Sequence, residues 1–179
     1  MLQIDVPGGE FFNNETQEFV YTKVQRLQLE HSLVSISKWE ARWKKPFFGK
    51  QSKTDLENLD YVRCMTITQN VDPLVYLNLS AENLQQIHDY IADDMTATTF
   101  PNDHSRPSRE IVTSELIYYW MVAFNIPWEC EKWHINRLIT LIRICGIKNG
   151  PQKKMSRNEI IARNAELNAA RCKALRTKG

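Results

Sequence analysis

The chain lacks most of the features that announce a chemistry. Its four cysteines, Cys64, Cys130, Cys145 and Cys172, are widely spaced and form no CxxC pair. At 179 residues the chain is long enough to bury a real core, so a disulfide scaffold is not expected and the cysteines read as reduced thiols. No GxxxxGK[ST], GxGxxG, HExxH or GxSxG pattern occurs, which removes the common phosphate, dinucleotide, metalloprotease and hydrolase signatures. The longest apolar run, residues 116–124, is about half the length that crosses a bilayer, so no membrane association is expected. The first nine residues have no basic segment and no long apolar stretch, unlike a signal peptide. There is no internal repeat and no low-complexity tract. These absences lead to an expectation of no catalytic activity, no cofactor and no metal.

What is present describes a folded body with an oddly charged end. A hydrophobic content of 42% and a charged content of 25% are ordinary for a globular protein. The net charge of +2 is unevenly placed. From Gly150 onward eight Lys or Arg face two Glu, giving +6, while the remainder carries 15 basic and 19 acidic residues, giving −4. A mildly acidic body at 1–149 thus precedes a basic tail at 150–179.

The apolar mass concentrates in residues 109–149. Residues 111–124 are apolar on nearly every helical face, which predicts a central core helix. Asn125-Ile126-Pro127 breaks it. A second helix is expected from about Trp128 to Cys145, with Ile135, Leu138, Ile139 and Ile142 as its stripe and Gly146 as its C-cap. The two would form a helical hairpin at the hydrophobic centre, with Leu116, Trp120 and Leu138 in its core.

Before the hairpin, residues 1–31 read as a small antiparallel β element. Residues 2–6 and 24–31 alternate apolar with polar side chains, residues 18–21 are a shorter candidate strand, and Asn13-Asn14 falls in a loop. Residues 37–95 read as short helices. Ser37-Lys38-Trp39-Glu40 and Thr54-Asp55-Leu56-Glu57 have capping-box spacing, and Ser80 caps a third helix with Leu84, Ile87 and Ile91 as its stripe. Asp72-Pro73 marks a turn or helix start, and residues 96–108 a surface loop. In the tail, Ser156-Arg157-Asn158-Glu159 opens a helix of good formers with sparse apolar positions, expected to project from the body. The fold class is mainly α with a small N-terminal antiparallel β element (α+β), with a central apolar hairpin and a basic C-terminal helix.

Few residues suggest a site. Cys130 and His134, at i and i+4, stand at a metal-ligand spacing, but no second ligand pair completes a tetrahedral set and nothing orients them for nucleophilic catalysis. His31, His88 and His104 are scattered, and Asp93-Asp94 and Glu129 with Glu131 read as solvated acids. Trp39, Trp43, Phe47 and Phe48 form a dense aromatic patch with basic residues interleaved. It either closes the core or anchors a partner, since tryptophan is enriched in binding hot spots. Lys153, Lys154, Arg157, Arg163 and Arg171 belong to the basic tail, which holds no aromatic residue to stack a base. Docking on an acidic protein groove suits that tail better than nucleic acid.

Several segments resemble a protein encoded by siphoviruses of Gram-positive hosts. They are Leu29-Glu30-His31-Ser32-Leu33-Val34-Ser35-Ile36-Ser37-Lys38-Trp39-Glu40, Met95-Thr96-Ala97-Thr98-Thr99-Phe100, the stretch at 108–120, and Lys132-Trp133-His134-Ile135-Asn136-Arg137-Leu138. The closing Leu167-Asn168-Ala169-Ala170-Arg171 and Thr177-Lys178-Gly179 belong to the same pattern. The resemblance is to tail assembly chaperones. It implies a non-catalytic protein that binds the tape measure protein, the major tail protein or both, in the host cytoplasm during infection, with self-association as a further option. Two other classes stay open. One is a structural virion component, such as a head–tail connector or minor tail protein. The other is a small nucleic-acid-binding regulator that uses the basic helix.

Overall fold

Alternation at the N-terminus produces the strands it predicts. The computed structural model describes residues 1–14, 17–100, 110–150 and 157–175. Strand β1 (Leu2–Val6) pairs antiparallel with β4 (Gln25–Leu29), with Ile4 opposite Leu27 and Leu2 opposite Leu29. Ile4, Val6, Leu27 and Leu29 face the core, while Asp5 and Arg26 meet on the outer face at 2.8 Å. Between them the chain makes a second ribbon, β2 (Gly9–Asn13) with β3 (Glu18–Thr22). β2 is a correction. Gly8 and Gly9 looked like the end of a strand, but Gly9 begins one by pairing with Thr22, and the Asn78 side chain lies 2.3 Å from where a Cβ would be. The sheet is therefore two two-stranded ladders.

Helix α1 (Leu33–Trp43) starts four residues before the expected Ser37 box. Ser32 caps it, and Ser35 returns the bond to the Ser32 amide at 3.0 Å. The earlier start turns Leu33, Ile36 and Trp39 into the core along one face. Lys44, in the left-handed region at φ 54°, ends the helix. Helix α2 (Asp55–Met65) uses the Thr54–Glu57 box as expected. Asp72 caps a 3-10 turn over Pro73–Asn78, and Ser80 caps α3 (Ala81–Ala92), which packs on β1. Of the stripe expected on α3, Ile87 is buried but Leu84 is exposed.

The hairpin is where expectation and structure part. Helix α4 (Ser114–Ala123) begins at its Thr113 cap and ends where Asn125, at φ 52°, turns the chain toward Pro127. Residues Trp128–Lys132 form a 3-10 turn, and α5 (Ile135–Asn149) begins only after His134. Gly146 lies inside α5 and is not its cap. α4 packs chiefly on α1, so the hydrophobic centre is α1, flanked by α2, α4 and the Trp128–Lys132 turn. On α4 only Ser114, Ile117 and Met121 are buried. Leu116 and Trp120 are half-buried, whereas Leu138 is fully enclosed. Leu138→Ala is therefore expected to cost about 2–5 kcal/mol in denaturant unfolding, and Trp120→Ala clearly less, because the cavity term applies only where neighbours surround the deleted atoms.

The first compact unit spans Met1–Ile147 and the second Lys148–Gly179. The second contains α6 (Arg157–Leu175), on which Ile160, Ile161, Leu167 and Leu175 are exposed. Lys153, Lys154 and the Ser156 cap lie outside the described residues, as do residues 101–108 of the expected surface loop. Among the described residues no helix is long and apolar enough to cross a membrane.

Candidate functional site

The loop between α1 and α2 carries four lysines and no acid over residues 44–53. Two buried acids, Glu40 and Glu57, hold it, and a third, Asp60, anchors the end of α1 just before it. Glu40 accepts from the Phe47 amide at 2.6 Å and the Ser114 amide at 2.8 Å, so one carboxylate ties the loop to the start of α4. Glu57 accepts from the Thr54 amide at 2.8 Å and from Lys45 Nζ at 2.5 Å. These donors hold its carboxyl below the usual range, with the Lys45 hydrogen bond the largest cause. Asp60 accepts from the Arg42 guanidinium and from Trp43 Nε1, the latter at 2.9 Å. Buried acids of this kind persist only with such partners.

The loop and residues 110–112 enclose a cleft of about 800 Å³. Trp39, Pro46, Phe48, Ile111 and Val112 supply apolar surface, and Lys45, Lys50 and Lys53 supply positive charge against Glu57 and Glu110. Lys53 Nζ sits 4.0 Å from the Phe47 ring centre and donates to the Phe47 carbonyl at 2.8 Å. Burial lowers its affinity for a proton, and Glu57 opposes the shift. A volume near the upper end of the about 300–1,000 Å³ typical of ligand sites, with apolar walls and a few fixed charges, suits a bulky apolar group flanked by negative charge.

The aromatic patch divides between the two readings weighed from sequence. Trp39 and Phe47 are buried, and Trp39 Nε1 donates to the Glu57 carbonyl at 2.9 Å. Trp43 is half-buried on Asp60. Phe48 alone of the four is exposed, stacked edge-on against Phe47. Arg157, Arg163 and Arg171 lie on α6, in the second unit.

Cys130 and His134 do not share a helix face. Cys130 is in the 3-10 turn and His134 precedes α5. Burial pushes the Cys130 thiol up, away from the thiolate a nucleophile needs. His134 instead faces His31, their ring centres 5.0 Å apart. His134 Nε2 donates to the Tyr90 carbonyl at 3.0 Å, leaving Nδ1 as a buried acceptor with no partner among the described residues. His31 Nδ1 shares a hydrogen bond with the Tyr61 hydroxyl. All four cysteines are unpaired, and among the described residues no three His, Cys, Asp or Glu side chains are grouped to hold a metal.

Sequence reading missed the histidine pair and the roles of Glu40 and Asp60, because these depend on residues distant along the chain, whereas Glu57 sits in the capping box expected of it. It also missed the partner of the strand expected at 18–21, β2, which ends at Asn13 where a loop was expected, although a signal existed. Phe11-Phe12 and Phe19-Val20-Tyr21 flank a polar stretch in the manner of a hairpin.

Fold and cleft together define a mainly helical α+β protein with a lysine-rimmed, aromatic-lined surface cleft. No family model matches the chain, and neither a curated protein nor a solved structure matches it.

Proposed function

We propose that the chain is a non-catalytic assembly factor, a tail assembly chaperone of a siphovirus of Gram-positive hosts. It would hold the tape measure protein, the major tail protein or both until tail subunits enclose them. The observation that supports this reading is the outer face of α4. Tyr119 and Val122, one turn apart, are 65% and 59% exposed, and Trp128 beyond the helix is 57% exposed. An apolar helix with one face buried and the other bare carries a surface suited to a protein partner. Client helices with exposed apolar stripes are the ligands such a face takes. Moderate affinity, multiplied over many sites along a long client, permits later displacement by tail subunits.

The test is co-purification of the chain with co-expressed tape measure and major tail proteins. Tyr119→Ser combined with Val122→Ser is expected to abolish capture while leaving the melting temperature within a few degrees of wild type, since neither side chain is buried. Wild-type capture by that double variant would remove α4 from the interface. Abundant chain in purified virions would favour the structural component instead. Tight nucleic-acid binding at physiological salt, lost on deletion of residues 156–179, would favour the regulator.

A further inference from the structure

We propose that the chain associates head to tail, with the β2–β3 ribbon of one copy seated in the lysine-rimmed cleft of a second copy. The ribbon carries the first half of the case. Its register places Phe12 opposite Phe19 and Glu10 opposite Tyr21, so these four side chains share one face. Phe12 is 47% exposed, Phe19 57% and Tyr21 70%. The two phenylalanine rings meet edge to face at 5.1 Å, and the Tyr21 hydroxyl donates to Glu10 at 2.9 Å. The ribbon is thus an ordered aromatic face open to solvent. A two-stranded ribbon is marginal in water unless something packs on it, and its outer edges are unpaired among the described residues. Its base is fixed: Gly9 donates to Thr22 Oγ1 at 2.9 Å, as does the Asn78 amide at 2.7 Å.

The cleft carries the second half. Residues 8–22 hold three acids and no base, whereas the cleft loop, residues 44–53, holds four bases and no acid. The ribbon therefore offers aromatic rings with the Glu10 carboxylate on the same face, and the cleft offers apolar walls on which Lys45, Lys50 and Lys53 outnumber Glu57 and Glu110. Charge rules against the rival occupants drawn from the same chain: the basic helix α6 would meet the basic loop, and a ribbon stacked on another ribbon would bring acid against acid. Ribbon and cleft are different surfaces, so the contact is heterologous, and each copy offers one of each. Such a contact propagates as a ring or an open array.

Sedimentation of the purified full-length chain over a range of concentrations tests this, at low salt and again at about 0.5 M, where exposed charge pairs are screened. Oligomers that grow with concentration and dissociate with salt are expected. Lys50→Glu and Glu10→Lys, both at exposed positions, should each weaken association at least about tenfold. An equimolar mixture of the two should recover it, because each altered surface then finds a complement on the other variant. Thermal melting checks that both variants fold. A chain that stays monomeric up to its solubility limit overturns the proposal. So does undiminished association of Lys50→Glu with loss in Phe12→Ser, which would place ribbon against ribbon. The measurement uses the chain alone, so its outcome is independent of tail-protein capture.

Discussion

Replacing Glu40 with alanine is expected to lower the free energy of unfolding by about 3–5 kcal/mol, since hydrogen bonds to a charged group are worth about 1.5–3 kcal/mol each and two buried amides lose their acceptor. Glu40 is 7% exposed, and both donors, the Phe47 and Ser114 amides, belong to the backbone and cannot turn away. The Ser114 amide is also one of the free donors at the start of α4, where a negative charge is further favoured. For a chain of this length the loss corresponds to a fall in melting temperature of about 6–20 °C. Glu40→Gln keeps one carbonyl oxygen and should fall between wild type and alanine. The cleft should loosen along with the fold, because the same carboxylate joins the walls at residues 46–47 and 110–114. Proteolysis within residues 44–53 should therefore accelerate in Glu40→Ala at temperatures where the core remains folded. A melting temperature within 2 °C of wild type, about 0.5–1 kcal/mol by the same scaling, would show that neither hydrogen bond contributes.

Acid is expected to destabilise the protein well before carboxylates titrate. Burial, with the facing His134 ring and Lys53 adding to it, pushes the His31 imidazole from 6.5 down to about 3. Burial lowers His134 as well, although its bond to the Tyr90 carbonyl and the charges of Glu30 and Asp93 oppose the shift. Tyr61 and Tyr90, whose hydroxyls burial keeps protonated, complete the surroundings. Both histidines are thus less basic folded than unfolded, so the unfolded chain binds more protons between the two values. The stabilisation is complete above pH 6.5 and drains away as pH falls toward the folded value. Each pH unit with one such proton in play removes about 1.4 kcal/mol, so two units remove about 2–3 kcal/mol through His31 before His134 is counted. Glu57, held low by Lys45, adds its own loss only below its ordinary value of 4.5. Unfolding by urea at a series of pH values between 4.5 and 7 reads the histidine window separately. His31→Phe keeps an aromatic ring between Phe47 and Tyr61 and removes one titrating group. Its slope should be smaller by about 1.4 kcal/mol per pH unit. Equal slopes for variant and wild type would mean that His31 is already charged in the folded state.

Local signals were enough for much of the architecture. The alternation of residues 2–6, the Thr54–Glu57 box, the Ser80 cap and the stop at Asn125–Pro127 each state a backbone preference within a few residues, and each element formed there. The aromatic patch was legible as a patch for the same reason, and so was the concentration of lysine beside it. Which elements pack together was not local. Residues 111–124 are apolar enough to be central, but the centre went to α1, whose N-cap at Ser32 competes with an equally plausible box at Ser37. The earlier cap won because it aims Leu33, Ile36 and Trp39 at one side, where α2, α4 and the Trp128–Lys132 turn converge. Once α1 held the centre, α4 could bury only one stripe, and its other face stayed bare. Glu40, His31 and His134 acquired their roles from partners 7 to 103 residues away, distances over which no spacing rule operates. Periodicity and capping decide what each segment becomes, because those forces act within a turn or a strand. Burial decides which face is left for a partner, because it depends on all the segments at once.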